Sequence, residues 1–399
     1  MSERARLILV VLALEFASGM PYGVVMDLVP VWLRVHGMGL AELGALTLVG
    51  LPWTLKPLWA PLIDSVGTWQ RWMSGGLFLA TVATALLLAV PPGLLIAFLV
   101  LTAFASATQD IAVDGYLVAR VPPAEHGRVN GVRVAAYRGA MALAGGGAVW
   151  VGDRFGWSYA FGAVVAVQLV CVGIEAATAP APRAAPTGAT RFMATLLEWV
   201  TDRRRLPLFA FFLLFKLGDS AMAPMIKPFL LTRMDAGSVG LLSSTAGAVL
   251  VAVGAVLGGE VASRLPLGRA LVFLGSGQAL SNLIYAFAAG SSGVGVAITA
   301  SVAESFTSGL GTAGTMALAM RSARGDQGAT RFAVLSSVIG LTRTLSGAGS
   351  GVAVEGLGYT TWFSITFFLA LPGLLLAGAA VRAAKDPDAD PPAPDPTRT

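Results

Sequence analysis

Charged residues are scarce in this chain of 399 residues. They make up 12% of the sequence, about half of the ~25% that is typical of soluble globular domains. Hydrophobic residues make up 55%, and the mean hydropathy is +0.74. This balance excludes a disordered chain, disfavours a soluble enzyme and is typical of a protein whose solvent is mostly lipid.

The residue types that build many active sites are also rare. The single cysteine, Cys171, excludes an intramolecular disulfide and a cysteine-rich zinc site. His36 and His126 fall in predicted loops, so we expect no histidine-based metal or catalytic centre. None of the four lysines lies in a G-x-x-x-x-G-K-S/T loop, which excludes a Walker A nucleotide site. The basic residues are scattered singly between apolar runs, which disfavours nucleic-acid binding.

Twelve stretches have about the 20 mostly apolar residues that a spanning helix needs. They cover approximately residues 7–33, 41–63, 73–91, 94–120, 129–152, 157–178, 206–232, 237–262, 269–290, 294–320, 330–353 and 358–382. Turn residues such as Pro91-Pro92-Gly93 separate them. The sequence therefore predicts an all-α membrane protein with twelve transmembrane helices.

Lysine and arginine are distributed unevenly between the loops. With the N-terminus inside, 18 of the 27 basic residues fall in inner loops and tails and 3 in outer loops. This bias predicts that both termini are cytoplasmic. The first span contains Glu15 and Asp27 and lacks an A-x-A site near its end, so we interpret it as retained rather than cleaved.

The longest internal connection, residues 179–205, divides the spans into six and six. It predicts an N-terminal bundle over 1–178, a C-terminal bundle over 206–383 and a disordered tail over 384–399. One stretch of the connection is either an amphipathic helix on the membrane surface or a solvated linker. Its apolar residues are Phe192, Leu196, Leu197, Trp199 and Val200.

Every third predicted span has few or no ionic residues in its interior. A charge inside hydrocarbon costs roughly 2.5–3.5 kcal/mol on insertion scales, so each is expected to face a cavity or a partner. The interiors of spans three, nine and twelve carry none, and span six has only Glu175 near its inner end. The other eight spans are therefore predicted to surround a polar space. Arg138 and Arg343 each precede a glycine run, at 145–147 and 347–351, that allows close helix contact.

This period resembles the major facilitator superfamily, in which the first and fourth helices of each half line a central cavity and the third and sixth support it from outside. The loop from Asp64 to Arg71 is similar to the gating loop of that superfamily, with Ser65 in place of its arginine. The resemblance implies two six-helix pseudo-repeats that rock about a cavity. It also implies an inner gate, for which the candidates are Asp64, Arg71, Arg128 and Arg264.

Segments in both halves resemble the AmpG-type muropeptide permeases, a family that also includes acetyl-CoA transporters and siderophore-uptake permeases. They are residues 51–64, 105–114, 215–219, 278–282 and 304–312. The resemblance implies a secondary transporter of a bacterial-type inner membrane, with proton-coupled import of an anionic, amphiphilic, muropeptide-like solute. A siderophore or acetyl-CoA transporter and a lipid flippase remain alternatives. We expect no enzyme activity, no cofactor besides the proton gradient, the bilayer and a small molecule as partners, and a monomer.

Five carboxylates are candidates for proton coupling. Asp110 and Asp114, spaced i, i+4, either share a proton or are neutralised by an arginine such as Arg133 or Arg138. Asp219 either pairs with Lys216 or binds a proton. Glu304, which has no basic residue nearby in its own span, and Glu15 in the first span are the others. Both have a structural alternative, as a hydrogen-bonded buried acid or a helix-packing residue.

Cations within the spans suit an anionic substrate, because guanidinium and ammonium groups bind carboxylates and phosphates. Arg138 and Arg343 are alternatively paired helix–helix anchors, and aromatic side chains such as Tyr22 either stack on substrate or pack. The substrate-binding candidates are Lys216, Arg138, Arg343, Lys56, Lys227, Tyr22, Gln109 and Asn282. Prolines 21, 52, 57, 224 and 228 are expected to interrupt spans one, two and seven.

Overall fold

A computed structural model of the chain describes residues 3–121, 126–180, 201–322 and 328–384. Within these ranges the chain forms twelve membrane-spanning helical segments, α1–α12, which confirms the predicted all-α fold. We call α1–α6 the N-half and α7–α12 the C-half. The predicted bundle boundaries, 1–178 and 206–383, stay predictions. The amphipathic stretch near 192–200 and most of the tail lie outside the described residues.

The helices of the N-half follow one another with short connections. Their bounds are Glu3–Gly23, Val24–Leu28 and Val29–Val35 for α1; Leu40–Ala45, Leu46–Gly50, Leu51–Leu55, Lys56–Leu58 and Ala60–Ser65 for α2; Trp69–Leu86 for α3; Pro92–Arg120 for α4; His126–Met141, Ala142–Gly147 and Ala148–Phe155 for α5; and Trp157–Ala176 for α6.

The C-half repeats this arrangement. Its bounds are Leu206–Phe215 and Leu217–Leu230 for α7; Ala236–Val239, Gly240–Ala246 and Gly247–Arg264 for α8; Leu267–Gly290 for α9; Val294–Ser322 for α10; Gly328–Ala348 and the start of Ser350–Ala383 for α11; and the rest of Ser350–Ala383 for α12. A non-helical Gly358, with φ 77°, separates α11 from α12.

Capping and backbone geometry set where several helices begin. The Thr68 hydroxyl accepts a hydrogen bond from the Arg71 backbone N–H at the start of α3. At the start of α8, Asp235 Oδ1 accepts a hydrogen bond from the Ser238 backbone N–H at 2.8 Å. Gly156, with φ 107°, turns the chain between α5 and α6 in a conformation that favours glycine.

Seven of the helices in the described residues are long and apolar enough to cross a membrane by themselves. Others are broken or more polar, and α2 is the clearest case. Around Pro52 and Pro57 it splits into short α-helical and 3₁₀ pieces, as the prolines predicted. The prediction for α7 was wrong in position: the helix continues through Pro224 and Pro228, and its break lies at Lys216.

The two halves pack closely at one end. A Cβ on Gly351 of α11 would lie 1.7 Å from the carbonyl oxygen of Leu40 in α2, and a Cβ on Gly146 of α5 would lie 2.5 Å from that of Gly240 in α8. The predicted close contacts at both glycine runs are therefore confirmed. The π-helical segments of α1, α5 and α8 adjoin one another here. We call this region the closed end; the predicted topology makes it periplasmic.

Candidate functional site

A cavity of about 690 Å³ lies between the two halves. Its volume is within the ~300–1,000 Å³ of typical small-molecule sites. Helices α1, α2 and α4 line it from the N-half, and α7, α8, α10 and α11 from the C-half. The wall is mostly apolar, and several serines, threonines and aromatic residues are among the residues that line it. Its charged residues are Asp27, Lys56, Asp114, Lys227, Glu304 and Arg343.

The broken helix α2 supplies a large share of the N-half wall. Residues from Leu43 to Pro57 line the cavity, including Trp53, Thr54 and Lys56. Pro52 and Pro57 cannot donate backbone hydrogen bonds, and the segment is divided there into short α-helical and 3₁₀ pieces. This broken segment carries both Trp53 and Lys56 on the cavity wall.

Five ionic residues form one cluster in the N-half. The Lys56 Nζ lies 3.4 Å from Asp114 Oδ2 and 3.8 Å from Asp110 Oδ2. The Arg133 guanidinium donates to Glu15 Oε1 at 2.5 Å and also to Asp114 Oδ1. Three carboxyl groups thus face two cations, which leaves one carboxyl group without a full counter-charge. We call Glu15, Lys56, Asp110, Asp114 and Arg133 the N-half cluster.

Asp114, like Lys56, belongs both to this cluster and to the cavity wall. Its side chain is 45% exposed, whereas that of Glu15 is 7% exposed. It binds both cations of the cluster, one through each carboxylate oxygen. A change in its protonation would therefore act on Lys56 and Arg133 together. The sequence left Arg133 and Arg138 as alternative partners of the carboxylates, and the structure favours Arg133.

The C-half has its own ionic group, centred on a buried lysine. The Lys216 ammonium lies 3.6 Å from Asp219 Oδ2 and donates to Gln278 Oε1 at 3.1 Å and to Thr312 Oγ1 at 3.4 Å. The structure favours the ion-pair alternative for Lys216 and Asp219, and neither lines the cavity. Glu304 does line it and accepts a hydrogen bond from the Ser305 hydroxyl at 3.3 Å.

One ion pair joins the halves across the cavity. Asp27 of α1 accepts a hydrogen bond from Lys227 of α7, and each side chain is 16% exposed. Asp27 is not among the site residues predicted from the sequence, although a carboxylate in the interior of the first span was a signal that could have identified it. Close by, the hydroxyl of Thr47 donates to the backbone carbonyl of Thr344 at 3.0 Å. These bonds hold α1 and α2 against α7 and α11 beside the closed end.

Arg343 is the most accessible cation on the cavity wall. Its side chain is exposed although it lies in α11 and lines the cavity. We find no ion pair or hydrogen bond from its guanidinium to any residue that the structure describes. Tyr22 and Trp53 of the N-half also line the cavity, and their ring centroids lie 4.9 Å apart in an edge-to-face arrangement.

Several predicted site residues lie away from the cavity. Gln109 is buried and donates to Glu175 Oε1 at 2.7 Å, and Asn282 is buried in α9. Arg138 does not line the cavity either. Of the gate candidates, Arg71 and Arg264 are exposed, and Arg264 pairs with Glu260 at 2.7 Å. The side chains of Asp64 and Arg128 are outside the described part, so the gate stays a prediction.

The architecture defines the class of protein. Two helical halves that enclose an ionic cavity between them are typical of secondary transporters. The sequence matches the family model of the Major Facilitator Superfamily over residues 8–353. The chain is a membrane transporter that belongs to this superfamily.

Relatives and solved structures agree with this assignment. The chain is 31% identical to the anhydromuropeptide permease of Escherichia coli K12 over 384 residues, which cover 92% of this chain and 78% of that protein. The fold is similar to a bacterial homologue of the human lysosomal transporter Spinster in an inward-facing, unoccupied conformation (TM-score 0.75, 15% identity, 96% of this chain and 98% of that one). It is also similar to the nucleoside transporter NupG (TM-score 0.73, 15% identity, 95% and 99%).

Proposed function

We propose that this chain imports an anionic, muropeptide-like solute together with protons across a bacterial inner membrane, by alternating access. The observation that carries the proposal is the cavity between the halves, where Arg343 makes no ion pair with any residue that the structure describes and three carboxylates, Asp27, Asp114 and Glu304, share the wall. The 31% identity to an anhydromuropeptide permease supports the choice of solute.

Substrate binding follows from the charge on the wall. A guanidinium that makes no ion pair is costly in a cavity inside the bilayer, and a carboxylate or phosphate bound through two hydrogen bonds offsets that cost. Arg343 is therefore the proposed anchor for an anionic group of the solute. Tyr22 and Trp53 offer apolar ring surface for a sugar, and the neighbouring hydroxyl groups offer hydrogen bonds.

The N-half cluster supports the proposed proton coupling. When Asp114 binds a proton, Lys56 loses its nearer carboxylate partner, which lies at 3.4 Å, and keeps only Asp110 at 3.8 Å. Lys56 is then available to an anion in the cavity, so the proton and the solute favour each other's binding. Glu304 is a second proton-binding candidate, on the opposite wall. One proton crossing 100 mV supplies about 2.3 kcal/mol, or roughly a fiftyfold gradient.

The packing of the halves supports the proposed alternating access. Because α2 contacts α11 and α5 contacts α8 at the closed end, solute reaches the cavity from the opposite end. With the predicted topology, the end opposite the closed end faces the cytoplasm, so the arrangement is inward-facing. Rocking of the halves would separate Asp27 from Lys227 and open the cavity to the periplasm.

Uptake into proteoliposomes tests the proposal. Purified protein is reconstituted, and radiolabelled anhydromuropeptide, ferric siderophore and acetyl-CoA are supplied in turn, with and without an inside-alkaline pH gradient. We expect anhydromuropeptide to accumulate above its external concentration only with the gradient. Uptake of acetyl-CoA or siderophore alone would reject the solute, and accumulation that ignores the gradient would reject proton coupling. A fluorescent-lipid arm tests the flippase alternative.

A further inference from the structure

A small void lies between α7, α9 and α12, separate from the central cavity. Its volume is about 10 Å³, close to the ~10–15 Å³ that one water-sized probe sphere occupies. Phe215 and Leu374 form apolar parts of its wall, and Asp219, Gln278 and Asn282 form polar parts. The proposed transport function uses none of this space.

The polar side chains around the void have unused hydrogen-bonding atoms. Asn282 is 1% exposed, and neither its Oδ1 nor its Nδ2 has a partner within the described ranges. Gln278 is 4% exposed; its Oε1 binds Lys216, but its Nε2 has no partner there. Asp219 uses Oδ2 for Lys216, and its buried Oδ1 is likewise unpartnered. A buried polar atom that is left unbonded is energetically costly, so four such atoms on side chains that line one void point to a ligand.

Size and charge restrict the identity of that ligand. The void admits only a water molecule or a single-atom ion. A cation would face the Lys216 ammonium, which lies 3.6 Å from Asp219, and an anion would face the Asp219 carboxylate. The unpartnered atoms include both N–H donors and oxygen acceptors. A water molecule donates and accepts, and buried waters make about three hydrogen bonds.

We infer that one structural water molecule occupies the void, accepts a hydrogen bond from Gln278 Nε2 and donates to Asp219 Oδ1, with Asn282 as its third partner. The water holds the Asp219 carboxylate so that Oδ2 faces Lys216. It therefore has a positioning role for this ion pair, whose charges lie near Glu304. The inference is independent of the solute and of proton coupling.

A structure of the full chain in lipid, at a resolution that shows buried waters, tests the inference directly. We expect a density peak within hydrogen-bond distance of Asp219 Oδ1, Gln278 Nε2 and the Asn282 amide. An empty void in a map that resolves other buried waters would overturn the inference. So would an anomalous signal at the void after the salt is replaced by rubidium bromide, because the occupant would then be an ion.

Radiolytic footprinting by synchrotron X-rays provides a second test in solution, because a bound water yields a hydroxyl radical that labels its neighbours. We expect Phe215 and Leu374 to be oxidised in the wild-type protein. The same labelling is expected in Asn282→Ser, because serine keeps a hydrogen-bond donor and an acceptor, and it is expected to disappear in Asn282→Leu. If the wild-type protein shows no label at these two residues while Tyr22 and Trp53 in the central cavity are labelled, the inference fails. This comparison between the two sets of residues uses the wild-type protein alone and does not depend on the folding of a variant.

Discussion

Neutralising the ion pair between Asp27 and Lys227 is expected to open the closed end to water. Each side chain is only 16% exposed, and removal of one partner from a buried pair costs about 3–5 kcal/mol. Taking the lower value for this partly exposed pair, about 3 kcal/mol, the ratio of outward-open to closed molecules rises roughly 10²-fold. Asp27→Asn and Lys227→Met both leave one charge without its partner across the seam.

Cysteine labelling measures this opening. Ser243 lines the cavity from the π-helical segment of α8 near the closed end, so Ser243→Cys in a Cys171→Ala background gives a single reporter thiol. A membrane-impermeant maleimide is added from the predicted periplasmic side. We expect both neutralised variants to label much faster than the parent, and the charge swap Asp27→Lys with Lys227→Asp to bring the rate back towards it.

The control is a pair that is exposed. Glu260 and Arg264 are 56% and 76% exposed, and such i, i+4 pairs contribute only about 0.3–0.5 kcal/mol. Glu260→Gln is therefore expected to leave the labelling rate unchanged. If neither neutralised variant labels faster than Glu260→Gln, the ion pair does not hold the closed end together and the reasoning is refuted.

Three further outcomes are expected. Arg343→Gln raises the KM for anhydromuropeptide uptake by about tenfold to a hundredfold, because a charge-assisted contact worth about 1.5–3 kcal/mol is lost; an unchanged KM would remove Arg343 as the anchor. Glu304→Gln abolishes pH-driven uptake but leaves equilibrating exchange, and full pH-driven uptake in this variant would reject its proton role. Gly351→Val slows transport and lowers thermal stability, because its Cβ would clash with the Leu40 carbonyl, whereas Gly349→Ala, with nothing within 4 Å of the added Cβ, is neutral in both assays.

The fold was largely predictable because lipid imposes a simple rule on composition. A helix that crosses hydrocarbon must be long and apolar, and the predicted span 294–320 corresponds to Val294–Ser322. Local chemistry also predicted the break of α2 at its prolines. The break of α7 at Lys216 was not predictable in this way. It comes with the tertiary contacts of that lysine, which binds side chains of α9 and α10.

The site was predictable in part, for the same energetic reason. A charge within a span is costly, so Lys56, Glu304 and Arg343 were expected to face a polar space, and all three line the cavity. The pairing of charges was harder to foresee. Asp27 and Lys227 lie 200 positions apart in the chain, and only the docking of the two halves brings them together.

Proton movement during solute uptake tests the central claim most directly. Proteoliposomes loaded with a pH-sensitive dye, with no imposed pH gradient and the membrane potential clamped by valinomycin, receive anhydromuropeptide on the outside. We predict acidification of the lumen that tracks solute entry and that is absent with acetyl-CoA or with empty liposomes. Entry of anhydromuropeptide without acidification, or acidification without entry, would contradict coupled transport through this cavity.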